Sequence, residues 1–124
     1  MLVSKAKQKG TTGENEIVAL LNGWGHGDAV RTPAGKESHD IQLGVTGLII
    51  EVKYRKRWTI FPWVSKVRKV AREADAEWML FCIHGDRRSV VGKQVGKVAV
   101  MDADFAAQML AVYRQYADPY AAWS

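Results

Sequence analysis

Asp40, Glu51 and Lys53 are the residues of this chain whose types and spacing best suit chemistry. They lie in D-I-Q-L-G-V-T-G-L-I-I-E-V-K, residues 40–53. Ile41 and Leu43 alternate with Asp40 and Gln42, and Leu48-Ile49-Ile50 leads into Glu51-Val52-Lys53. The pattern predicts a β-hairpin, with Gly44 and Gly47 bracketing Val45-Thr46 at its tip, because glycine supplies the positive φ of tight turns. That tip sets Asp40 across from Glu51, on one face, with Cβ atoms about 4.5–5.5 Å apart. Lys53 returns to the same face about 7 Å further along. Two carboxylates so close repel unless a cation lies between them. Mg2+, which takes hard oxygen ligands, is the economical cation, with Mn2+ expected to substitute. The Val52 carbonyl is a candidate third oxygen. The competing explanation is a cross-strand salt bridge with Lys53.

The chemistry such a set performs is phosphodiester hydrolysis. A divalent ion polarises a phosphoryl oxygen and acidifies water, and Lys53 orients the attacking water or offsets charge on the phosphorane. A fourth group comes from the N-terminal region. Thr11-Thr12-Gly13-Glu14 has capping-box spacing and predicts a helix start. Ile17, Val18, Leu21 and Trp24 follow at helical spacing, so Glu14 shares their inward face, while Glu16 falls toward solvent. Glu14 is then aimed at the sheet, a candidate metal ligand that reaches the cluster directly or through a metal-bound water. Its competing role is the cap itself.

Elements must position these groups. A basic arm over residues 1–10 precedes the first helix, which ends at glycines near Gly23. Asp28 to Thr32 reads as a strand stopped by Pro33, and residues 34–39 as a polar loop. After the hairpin, Pro62 suits the first turn of a helix whose buried stripe is Val64, Val67, Val70, Ala71 and Ala74. Glu77 to His84 is a nearly continuous apolar run, expected to be a strand buried on both faces. Short strands are expected at 89–91 and 97–101, and then a helix capped by Asp102 or Asp104 with Phe105, Met109, Val112 and Tyr116 on its inner face. The tail from Asp118 reads as irregular. The order is α-β-β-β-α-β-β-β-α: an α/β fold with a mixed central β-sheet flanked by helices.

The chain has 124 residues, enough for one domain, and carries a net charge of +5. Basic residues cluster at Lys5, Lys7 and Lys9, at Arg55, Lys56 and Arg57, and at Lys66, Arg68, Lys69 and Arg72. Together with Arg31, these clusters point to a polyanionic partner, nucleic acid ahead of a membrane surface. Within that set, Lys5, Lys7, Lys9, Arg31, Arg55, Lys56, Arg57, Lys66 and Lys69 are the expected DNA backbone contacts. No apolar run approaches the roughly 20 residues of a membrane span. The first ten residues are too polar for a signal peptide. The single cysteine, Cys82, lies in an apolar run and suits a buried position in a reducing compartment. The expected location is the cytoplasm, or the host cytoplasm for a phage-encoded chain. The three histidines, His26, His39 and His84, show no zinc spacing.

Asp40 followed by Glu51-x-Lys53, behind a helix bearing Glu14, resembles the core motif of the PD-(D/E)XK nuclease superfamily. K-G-T-T-G-E-N-E-I-V, residues 9–18, is similar to the K-G-S-x-x-E-R-x-I/V opening of archaeal-type Holliday junction resolvases. A-V-R-T-P-A-G, residues 29–35, resembles their V-V-R-S-x-x-S stretch. The likeness covers residues 9–57. It implies a restriction-endonuclease-like αβββαβ core, with Glu14, Asp40, Glu51 and Lys53 as the catalytic set and Mg2+ as cofactor. It also implies a homodimer that cuts four-way junctions by two symmetric nicks; one site per chain requires two chains for a symmetric substrate. There are departures. His39 precedes Asp40 where the motif has proline, and Thr32 and Ser38 are imperfect matches to a functional serine of the family. The E-x-K triplet differs from the Q-x-K usual in the related VRR-type nucleases. Two other functions fit the same residues: a repair or restriction nuclease acting on duplex or flap DNA, and a non-catalytic basic DNA-binding module.

Overall fold

A computed structural model describes residues 5–33, 40–84 and 96–117, apart from the side chains of residues 5–9. Its elements are α1 (Lys5–Gly23), β1 (Val30–Arg31), β2 (Ile41–Gln42), β3 (Leu48–Arg55), α2 (Ile60–Glu73), β4 (Glu77–His84), β5 (Lys97–Val100) and α3 (Ala103–Tyr116). The sheet has five strands in the order β1-β2-β3-β4-β5. β3 and β4 run parallel, joined by α2, and the other pairs are antiparallel. The fold is therefore α/β with a mixed sheet flanked by helices, as the apolar patterning predicts.

β3 organises the packing. Its alternate residues face opposite sides, as strand geometry requires. Ile50 and Val52 join Ile17 of α1, Ile41, Phe81 and Ile83 in one core. Ile49 joins Val67 and Ala71 of α2, Trp78, Leu80 and Cys82 in the other. β4 is buried on both faces because both cores use it, which accounts for its unbroken apolar run.

α1 begins earlier than its sequence suggests. Residues 5–10 are helical, so the expected basic arm is partly helix, and the Thr11–Glu14 spacing lies inside α1 and caps nothing. What Gly13 provides is close approach. A Cβ there would stand 3.0 Å from Tyr54 Cβ and 3.1 Å from Tyr54 Cδ2. The helix ends in a Schellman arrangement: Gly25 has φ +95°, its amide donates to the Asn22 carbonyl, and the His26 amide donates to the Leu21 carbonyl. Trp24, expected in the buried stripe, is 83% exposed, since it follows the last helical turn. Glu16 is half-buried, not on the solvent side. The Asn22 side chain then ties α1 to the approach to β1, donating to the Ala29 carbonyl and accepting from the Ala29 amide.

The hairpin keeps its predicted register and loses its predicted turn. Ile41 pairs with Ile50, as the predicted alignment requires, and at Asp40 the ladder shifts by one residue, its amide donating to the Ile50 carbonyl. The connection is a loose bend over residues 44–47 instead of a two-residue tip. Gly47 takes the positive φ, at +79°, whereas Gly44 does not. Gly44 instead lets the Asp28 carboxylate approach and accept its amide at 2.8 Å.

α3 departs from expectation. Of its supposed inner face only Phe105 is buried, while Met109, Val112 and Tyr116 are exposed. The helix is anchored at its start, where Asp102 is the N-cap residue. The Asp102 carboxylate makes no capping bond; it accepts from Arg68 of α2 and from the Trp78 indole at 2.9 Å. The polar loop at 34–39, the strand at 89–91 and the tail from 118 lie outside the described residues. Among the described residues, no helix is long and apolar enough to cross a membrane.

Candidate functional site

Glu51 and Lys53 stand on the α2 side of β3, the side of Ile49, because side chains alternate along a strand. Asp40 arrives from the end of β2. Its backbone amide donates to the Ile50 carbonyl, its carbonyl accepts from the Thr32 amide, and its Oδ2 accepts from the Val52 amide at 2.8 Å. These three bonds fix the carboxylate against β3. A strand residue sends its N–H and C=O to the same neighbour, so the Val52 carbonyl lies on the Asp40 side as well.

The three groups share one cavity of about 210 Å³, lined by Asp40, Glu51, Lys53, Trp63, Lys66, Val67, Val70 and Leu80. α2 supplies Trp63, Lys66, Val67 and Val70 at i, i+3, i+4 and i+7, one face of a helix. Val67 is buried and seats the helix, whereas Lys66 is exposed and Trp63 half-buried.

The electrostatics are those of a crowded carboxylate pair. Burial, reinforced by the charge and hydrogen bond of Asp40, pushes the Glu51 carboxyl up to about 8, while Lys53 and Lys66 pull it down. Glu14 is also raised, chiefly by burial; its hydrogen bond from Arg31 opposes this, and the Asp40 charge adds to it. Cys82, beside Lys53 in the strand register, is buried and its thiol is pushed up to about 11 by that burial.

Compared with protein-family models, with curated proteins and with solved structures, the chain matches none. The site stands on its own residues.

Asp40, Glu51 and Lys53 are brought together as expected, and so is Lys66, named beforehand only as a backbone contact. Glu14 is on the inward face of α1, with Arg31 Nε donating to its Oε1 at 3.2 Å. It feels Asp40 without joining it in a ligand cluster: no group of three or more His, Cys, Asp or Glu able to hold a metal occurs among the described residues. Arg31, expected to contact DNA, holds Glu14. Arg55, Lys56, Arg57 and Lys69 are exposed, with Arg55 donating to the Tyr54 carbonyl. The side chains of Lys5, Lys7 and Lys9, and the whole of Ser38 and His39, lie outside the described residues. Thr32 is buried, and its Oγ1 has no hydrogen-bond partner among the described residues.

The donor set can be tested against a metal. Mg2+ typically keeps several waters and takes one or two carboxylates plus substrate phosphate oxygens. Two adjacent carboxylates, one of them raised well above its ordinary value by burial and by the charge of the other, fit that pattern. They do not fit a closed zinc site, which needs four nitrogen or sulfur ligands. Trp63, which the sequence suits to a core position or a dimer contact, lines the cavity instead. The signal was its helical spacing to Lys66 and Val67, but only the β3-α2-β4 connection shows which way that face points.

Proposed function

We propose that this protein is a Mg2+-dependent endodeoxyribonuclease of the PD-(D/E)XK type that resolves four-way DNA junctions as a homodimer. The observation that carries this proposal is the convergence of Asp40, Glu51 and Lys53 on one cavity, with Asp40 clamped to β3. The order α1-β1-β2-β3-α2-β4 supports a restriction-endonuclease-like core. Exposed Arg55, Lys56, Arg57 and Lys69 supply the backbone contacts that nucleic acid requires.

Asp40 and Glu51 are the residues that would hold Mg2+, with the Val52 carbonyl assisting. When bound, the ion supplies positive charge that polarises the phosphodiester and acidifies water. The chain's own groups do the rest. The Val52 amide keeps the Asp40 carboxylate in place, so no reorganisation is needed when substrate arrives. Lys53 orients the incoming water and offsets charge on the phosphoryl oxygens. Glu14, held by Arg31, adds a carboxylate at the Asp40 side of the site. In hydrolysis the water oxygen bonds to phosphorus, one ester P–O bond breaks, and the leaving oxygen takes a proton.

The test compares an immobile four-way junction with linear duplex of the same sequence, each with and without Mg2+. Paired symmetric nicks in the junction alone are expected. Cleavage of duplex at the same rate points to a repair or restriction nuclease, and no Mg2+-dependent cleavage of any DNA removes the enzymatic proposal. A monomer by sedimentation, active at nanomolar concentration, overturns the dimer.

A further inference from the structure

One face of α2 lines the cavity without acting in the hydrolysis. Trp63 and Lys66 stand beside the carboxylate pair, across the cavity from β3. Val67 and Val70 of the same face seat the helix, leaving Lys66 exposed and the Trp63 indole half-buried at the rim. We infer that Trp63 and Lys66, together with Lys53, form a nucleotide subsite, in which Lys53 and Lys66 take the phosphate between them and the Trp63 indole takes the adjoining base. The inference rests on the proposed nuclease function and extends it to how the substrate nucleotide is held.

Three observations support it. The first is charge balance. A divalent ion held by Asp40 and Glu51 would neutralise that pair, which leaves Lys53 and Lys66 lining one small cavity with no further carboxylate among its described lining residues. A phosphate group meets that need, and lysine binds phosphate as a compact point charge.

The second is the sorting of cations on α2. Arg68 turns away from the cavity, donates to Asp102 and lies 6.0 Å from the Trp78 ring centroid. The Arg72 charge also bears on Asp102. Lys66 is the α2 cation that lines the cavity.

The third is the indole. Aromatic faces beside a cationic track stack bases of any sequence. Trp63 is one helical turn from Lys66, so a base on its ring adjoins a phosphate at Lys66. A base inside a continuous duplex is stacked on its neighbours and unavailable to that ring. The subsite therefore takes a nucleotide with an exposed base, which plain duplex does not supply.

The experiment titrates the full-length protein with thymidine 5′-monophosphate and with thymidine in Mg2+, followed by amide and indole NMR shifts. Neither probe contains a diester, so binding is read apart from cleavage. The monophosphate is expected to shift the Trp63 indole resonance, and thymidine to bind at least about tenfold more weakly, as loss of a charge-assisted contact implies. Lys66→Gln is expected to weaken the monophosphate by roughly tenfold as well. Lys97→Gln, an equal charge change on exposed β5, should leave it unaltered. Trp63→Phe should keep binding and Trp63→Leu should lose it, with a native melting curve required of both. Wild-type affinity in Lys66→Gln, or equal losses in Lys66→Gln and Lys97→Gln, overturns the subsite. Nucleotide binding as described in a protein that cuts no DNA overturns the nuclease function and leaves the subsite standing.

Discussion

The amide of Val52 donates to Oδ2 of Asp40 at 2.8 Å, so the residue between Glu51 and Lys53 in sequence holds the third member of the site. The Val52 side chain meanwhile packs in the core under α1. One residue thus fixes the strand from one face and a functional carboxylate from its edge.

Asp40→Asn retains that acceptor oxygen and removes the charge. Junction cleavage in Mg2+ is expected to fall by roughly a hundredfold or more, the scale of losing one group that acts on the transition state. Junction affinity in a gel-shift assay should remain within a few-fold of wild type. The Glu51 carboxyl should also titrate lower, since the Asp40 charge and hydrogen bond help raise it, and carboxyl carbon NMR shifts follow this directly. A mutant that still cuts refutes the site.

The Glu51 pKa of about 8 in the metal-free protein gives a pH dependence of stability. Between its ordinary value of 4.5 and about 8, the folded state holds a proton that the unfolded state has released. Stability therefore falls as pH rises through that window. Thermal melts without metal should show a lower Tm at pH 8 than at pH 6 from this group. Glu51→Gln should remove the loss, giving a higher Tm than wild type at pH 8 while abolishing Mg2+-dependent cleavage. Addition of Mg2+ should raise the wild-type Tm more at pH 8, and that of Glu51→Gln little.

Two glycines of α1 should respond oppositely to alanine. Among the described residues, a methyl at Gly10 would meet Glu14 Oε2 at an ordinary 3.9 Å, so Gly10→Ala should stabilise by up to about 1 kcal/mol through helix propensity. Gly13→Ala gains the same propensity, but its methyl meets Tyr54 Cβ at 3.0 Å, an atom fixed to the β3 backbone. Overpacking of this kind costs about 1–3 kcal/mol, so a net loss is expected. Urea unfolding of both variants decides the signs.

Asp102→Asn should loosen α3. The carboxylate is held below its ordinary 3.8, first by the Arg68 hydrogen bond and then by Trp78 and nearby arginine charge, against some burial. A loss of about 1 kcal/mol is expected, at the low end for charged hydrogen bonds because Arg68 is partly exposed. A depressed pKa means that this contribution is present above pH 3.8 and is lost as pH falls through the lowered value. Hydrogen exchange in α3 should increase in the mutant, and the gap between mutant and wild type should close in acid.

Much of this was legible in the sequence because β-strand alternation is a strict rule. The Ile41–Ile50 register, the double burial of β4 and the inward face of Glu14 all follow from periods of 2 and 3.6. Turn chemistry was less legible. Gly13 falls inside an apparent capping box and Gly44 at an apparent hairpin tip, but each is glycine so that another group can come close, and close approach is a tertiary fact with no local signature. Phe105, Met109, Val112 and Tyr116 formed a plausible stripe on α3, yet periodicity states only that a face is apolar, not that anything covers it. That Trp63 and Lys66 neighbour Glu51 has no local signature, since it takes the parallel crossover to bring α2 to β3.

The alternation of β3 also divides the strand for anyone who would alter it. Ile50 and Val52 answer to the α1 core, and Glu51 and Lys53 to the cavity. Substitutions at the first pair will register in folding assays, and those at the second in chemistry. A library varying only positions 51 and 53 would explore new reactivities on a chassis whose α1-side packing never enters the selection.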